Sequence, residues 1–189
     1  MLETEDAELV ERGTAFFRWQ LQPSERTDRE MVAYYERMAE FMEKPVLKGI
    51  LEFPINQRTV MVALRRRHRG LPTPNAGEPW GVGPLVRHIE HYWEDQDFKF
   101  SGLYPWIPQA RAHLEAGEAL ALDRLLMGLV WDKMDRIAEG DVFSFEALLA
   151  YLFKWGILDL WLSYDREDAG ARFEELVSEV SSEQGQPFE

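Results

Sequence analysis

His88 and His91 stand three residues apart with Glu90 and Glu94 beside them, the only place where histidines cluster. On a helix this spacing puts both imidazoles on one face, and a metal would need a third ligand from elsewhere. The helical di-metal pattern Glu-x-x-His and the pattern His-Glu-x-x-His are both absent, and only His68 and His113 remain as further histidines. The pair therefore reads first as solvated or interfacial, and no metal is assigned. Nucleophilic chemistry finds no support, because there is no cysteine and no Gly-x-Ser-x-Gly. Phosphate-cradling glycine loops are missing too; Gly81-Val82-Gly83-Pro84 opens a helix but follows no strand. Acid pairs such as Glu115/Glu118 and Asp132/Asp135 belong to 34 acids, so a charged helical surface explains them. No catalytic residue and no cofactor is assigned.

The other chemically distinctive stretch runs from Phe53 to Gly70. It has Pro54 at its start, an apolar middle, and five arginines: Arg58, Arg65, Arg66, Arg67 and Arg69. Proline suits a first helical turn and glycine a helix end, so the spacing predicts a helix opening at Pro54 and closing at Gly70. Arginines in a last turn oppose the helix dipole, which accounts for some of them. Arg58, near the start, has no such reason. At 100° per residue Arg58, Arg65 and Arg69 share one stripe with Val62, able to meet acids of this chain or of an acidic partner. Among seven tryptophans, Trp131, Trp155 and Trp161 fall in helical patterns and read as core, whereas Trp80 and Trp106 fall in loops. Loop tryptophans either anchor a partner or pack back onto their own helices. The candidates for partner binding are thus Asn56, Arg58, Arg65, Arg66, Arg69, Trp80 and Trp106.

The elements that must position these residues are helices. Leu9, Phe16, Phe17 and Trp19 mark a first helix from about Glu3 to Leu21. Thr27 with Glu30 forms a capping box for a second, carrying Met31, Tyr34, Tyr35, Met38 and Phe41. Pro45 ends or kinks it, and a short piece through Val46, Leu47, Ile50 and Leu51 leads to the basic helix. Residues 71–84, with four prolines and three glycines, read as a surface loop. Further helices are expected at Val82–Glu94, Ile107–Ala116, Glu118–Ala138, after a Ser144 cap through Trp161, and at about Asp165–Val180; Gly156 marks a bend. Residues 95–108 are irregular and aromatic, with at most a weak extended pattern from Phe98 to Leu103. The expected fold is all-α, about eight helices in an orthogonal or funnel-like bundle. It forms one domain over residues 1–189, divisible into helical units at 1–71 and 82–182 joined by loop 71–84.

Bulk composition sets further bounds. A chain of 189 residues, 46% hydrophobic and 13% aromatic, can bury a substantial core. Its net charge of −13 argues against nucleic acid and anionic lipid as general partners. No apolar run approaches the ~20 residues of a membrane span. An acidic Met1–Asp6 without a following apolar core argues against a secretory leader, and the absence of cysteine fits the cytoplasm.

Several stretches together resemble an uncharacterised helical family encoded beside V/A-type ATP synthase subunits in some bacterial operons. They are Tyr34-Tyr35-Glu36, Phe41, Pro45 to Phe53, and Asn56 to Gly70, in which Asn56, Arg58 and Arg67-His68-Arg69-Gly70 match its Asn-x-[Arg/Lys] … Arg-x-x-Gly helix. Leu122–Leu126, Trp131–Asp135 and Phe143–Tyr164 resemble its C-terminal helices, so the likeness runs from about Met31 to Val177. A looser likeness is to the C-type component of V/A-type ATPases, called d in eukaryotes, a helical funnel seated on the rotor ring. Asn56, Leu64-Arg65 and Leu148–Leu152 hold comparable places, with Gln57 where that pattern has leucine. The resemblance implies a non-catalytic subunit or accessory protein of a V/A-type rotary ATPase, acting through protein–protein contacts with other subunits. It would work in the cytoplasm, peripheral to the membrane face through those partners, without itself inserting. The alternative is a free-standing helical adaptor or chaperone holding a peptide in an apolar groove near Trp80, Trp106 and Trp155. Oligomeric state is left open.

Overall fold

The computed structural model describes residues 28–41, 45–75, 77–139, 144–159 and 162. Six helices lie within them: α1 (Asp28–Phe41), α2 (Pro45–His68), α3 (Val86–His91), α4 (Trp106–Glu115), α5 (Ala119–Ala138) and α6 (145–159). No strand occurs among the described residues, so the all-α class stands. The helices expected at Glu3–Leu21 and Asp165–Val180, the Thr27 cap and Trp161 lie outside the described residues.

The central element is α2. It runs as one helix of 24 residues with Pro54 inside it, not as a short piece followed by a helix opening at Pro54. A mid-helix proline removes one backbone bond and costs about 3 kcal/mol. Burial on both sides of the ring offsets that cost: Ile50, Leu51 and Ile55 enter one apolar cluster with Tyr35, Val130, Met134, Leu149 and Phe153. The C-terminal half of α2 enters a second cluster, where Val60, Met61 and Leu64 meet Trp80, Ile89, Trp93, Phe98, Trp106, Ile107 and Leu122. The first half of α2 thus shares its cluster with the end of α5, and the second half with its start, so the two helices run antiparallel. At their midpoints buried Gln57 donates from Nε2 to the Leu126 carbonyl at 3.0 Å.

Local signals set the helix ends. Gly70 at φ +71° closes α2: its N–H donates to the Arg67 carbonyl at 2.8 Å, and that of Leu71 to Arg66 at 3.0 Å. Gly117, also at φ +71°, closes α4 in the same way, with its N–H on Leu114 and that of Glu118 on His113. Both are the paired bonds of a left-handed helix cap. Ser144 caps α6, its Oγ accepting the Ala147 N–H at 3.1 Å. The helix continues through Gly156.

The expected helix over 82–94 is cut to six residues. Thr59 Oγ1 donates to the Val82 carbonyl at 2.7 Å and accepts the Val82 N–H at 3.2 Å, which holds that residue against α2 outside any helix. Residues 95–103 form turns, not an extended segment. Asp95 Oδ1 accepts the N–H groups of Asp97 and Lys99 at 3.0 and 2.8 Å, while Phe98 and Lys99 take positive φ of 50° and 59°. The carboxylate is held below its usual range first by the Lys99 N–H, then by that of Asp97.

Candidate interaction surface

The basic C-terminal end of α2 divides into arginines that fold inward and arginines that face solvent. Arg66 pairs with Glu78 at 2.8 Å. Glu78 is held below the usual carboxylate range chiefly by the Asn75 N–H, with Arg66 adding to it. Arg67 donates to the carbonyls of Asp95 and Gln96 and lies 5.1 Å from the centre of the Phe98 ring, tying the aromatic loop to α2. Arg65, His68 and Arg69 are exposed. Asp123 on α5 lies within electrostatic reach of Arg65: half-burial pushes its carboxyl up and Arg65 opposes the rise.

Arg58 does not continue the solvent-facing row. Its guanidinium sits over the Tyr35 ring, 5.3 Å from the centroid, in a hollow also lined by Val32, Thr59, Val62 and Trp80. The hollow adjoins a cleft of about 250 Å³ between α1, α2 and the Gly81–Gly83 loop, lined by Tyr35, Glu36, Ile55, Val82 and Val86. Next to Gly83, Asn56 Oδ1 is shielded from solvent without a hydrogen-bond partner, and a Cβ built on Gly83 would lie 3.2 Å from it.

Both tryptophans expected in loops pack back onto the protein's own helices; Trp80 does lie in the loop, whereas Trp106 is the first residue of α4. Trp80 is 2% exposed, donates from Nε1 to Glu90 Oε1 at 2.9 Å, and meets Trp93 edge-on. Trp106 is 6% exposed in the same cluster. Neither is presented to a partner in this fold. Trp155, expected in the core, is 61% exposed. The reason is angular: Phe153 faces the core, and two residues turn a helix by about 200°. Trp131 is half-buried, with the Lys154 ammonium 4.4 Å from its ring centre and bonded to Asp135. Of the three tryptophans around which a groove is expected, Trp80 lines the hollow beside Tyr35 and Arg58, Trp106 is buried in the core, and Trp155 stands exposed on α6.

His88 and His91 share a helix and both touch the Tyr92 ring, but they differ in burial. The His88 ring stacks on Phe100 at 4.2 Å, with Nε2 2.9 Å from the Phe98 carbonyl, while His91 is exposed against Tyr92. Among the described residues, no group of three or more His, Asp or Glu side chains could hold a metal ion. No helix of the described residues is long and apolar enough to cross a membrane. The α1–α2 cleft has no signature in the sequence. Val82 is held in the cleft by its bonds to Thr59, 23 residues away, and by packing on the cluster around Tyr35 and Ile55, which no local signal announces.

The fold is all-α among the described residues, with exposed arginines at the end of α2 and exposed aromatic side chains on α6. The chain belongs to the family described as Protein of unknown function (DUF2764), which matches residues 15–184. No curated protein and no solved structure matches it.

Proposed function

We propose that the protein is a non-catalytic subunit or accessory protein of a V/A-type rotary ATPase, similar to its C-type component and binding other subunits at the cytoplasmic side of the membrane. The observation that carries the reading is the ordered resemblance from Tyr34 through the Asn56–Gly70 helix to the C-terminal helices. Membership of DUF2764 over most of the chain supports the family likeness, and the family's description assigns no activity. The contact surface of this reading is the solvent-facing end of α2, at Arg65 and Arg69, against an acidic patch of another subunit.

The test is an affinity pull-down at low salt with partners identified by mass spectrometry. Recovery of rotary-ATPase subunits in constant ratio is expected, and the Arg65→Gln/Arg69→Glu protein should lose them while keeping its helical circular dichroism. Capture of no ATPase subunit by the intact protein sinks the reading. Arg58 is unsuited to this test, because its place over Tyr35 makes reversal a change to the fold.

A second reading, a helical adaptor binding a peptide, is favoured by one observation, the cleft between α1, α2 and the Gly81–Gly83 loop. Its walls at Ile55, Val82 and Val86 fit an apolar side chain rather than an anion.

A further inference from the structure

The outer face of α6 carries Leu148, Tyr151, Trp155, Leu158 and, continuing the spacing, Leu162. Their exposures lie between 38% and 62%. The intervals are three, four, three and four residues, the repeat by which one helix packs along another, whereas the opposite face of α6 fills the core through Leu149 and Phe153. We propose that this face is a symmetric dimer interface, with α6 of a second copy lying parallel and in register against it. The proposal stands apart from the ATPase reading, since none of its residues belongs to the α2 surface.

Three observations choose a second copy over another occupant. The seam is self-complementary: in a parallel pair each residue meets its own counterpart, Leu on Leu and Trp on Trp, which suits a two-fold axis. Fully covered, the five side chains remove at most about 500–600 Å² per copy, the low end for one partner in a specific interface. Charge then sets the direction. At 100° per residue Lys154 flanks one side of the seam and Asp159 the other. A parallel pair brings Lys154 towards Asp159 of the partner subunit, while an antiparallel pair sets flanks of like sign together. Lys154 already meets Asp135, but an ammonium has three donors and can serve both.

The full chain at about 50 μM is expected to sediment as a dimer. Trp155→Glu/Leu158→Glu, both on the solvent face of the single copy, should give a monomer with unchanged helical circular dichroism. The absence of native cysteine makes the orientation readable. Leu158→Cys should form an intermolecular disulfide on mild oxidation, because in a parallel pair the two positions face each other. A wild-type monomer overturns the proposal and leaves the stripe to a segment of the same chain or to an unlike partner. A dimer that survives the double glutamate variant overturns it as well, and a dimer in which Leu158→Cys does not cross-link overturns the parallel arrangement.

Discussion

Two carboxylates answer pH in opposite senses, and the difference lies in what each touches. Asp95 accepts two backbone N–H groups, which favour its ionised form and set its folded pKa below the unfolded value near 3.8. Its contribution to stability is present above that value and is lost as pH falls through the folded pKa. Asp123 is raised by burial, with Arg65 opposing. Its folded state holds the proton more tightly, so its contribution favours folding below the unfolded value and is lost as pH rises through the folded pKa. Asp123→Asn never ionises. It should raise the melting temperature at pH 7 by on the order of 2 °C, with the gain vanishing toward pH 3. A lower melting temperature at pH 7 would mean that attraction to Arg65 outweighs burial. Neither carboxylate was legible as special among 34 acids, because burial and backbone donors are supplied by distant parts of the chain.

At the scale of elements, the spans of α4 and α5 and the caps at Gly70, Gly117 and Ser144 were legible, whereas the start of α2 and the extent of α3 were not. Gly70, Gly117 and Ser144 act on bonds within six residues of themselves, so their chemistry is written locally. An alanine Cβ at either glycine meets nothing within 4 Å, so the cost of substitution is the left-handed backbone alone. Gly70→Ala and Gly117→Ala should each cost about 1 kcal/mol, nearly equally and additively, in urea unfolding. A cost below a few tenths at either site would show that the cap is dispensable there. The cut of α3 to six residues and the passage of α2 through Pro54 depend instead on Thr59 reaching Val82 and on apolar clusters assembled from four helices. Such partners are far apart in sequence, and periodicity does not see them. The arginine row divided for the same reason: a shared angle on α2 said nothing of Tyr35 over Arg58 or of Asp123 near Arg65.

At the scale of the molecule, the all-α class followed from apolar spacing, whereas the exposed aromatic face of α6 did not, because spacing alone cannot say which stripe turns inward. The proposed division at residues 71–84 separates sequence segments more than it separates packing. Trp80, within that loop, lies in the same cluster as Val60 and Leu64 from one side and Ile107 and Leu122 from the other. The two apolar clusters also share α2 and α5, joined at their centre by Gln57 on the Leu126 carbonyl. Scanning calorimetry should therefore give one transition whose van't Hoff and calorimetric enthalpies agree. Leu64→Ala in one cluster and Phe153→Ala in the other should each cost about 3 kcal/mol and lower that single transition. Two resolved transitions would overturn this expectation. The unbroken run of α2 through Pro54 thus has a thermodynamic meaning: melting either end of that helix exposes both clusters, so the described core gains or loses its order as one cooperative unit.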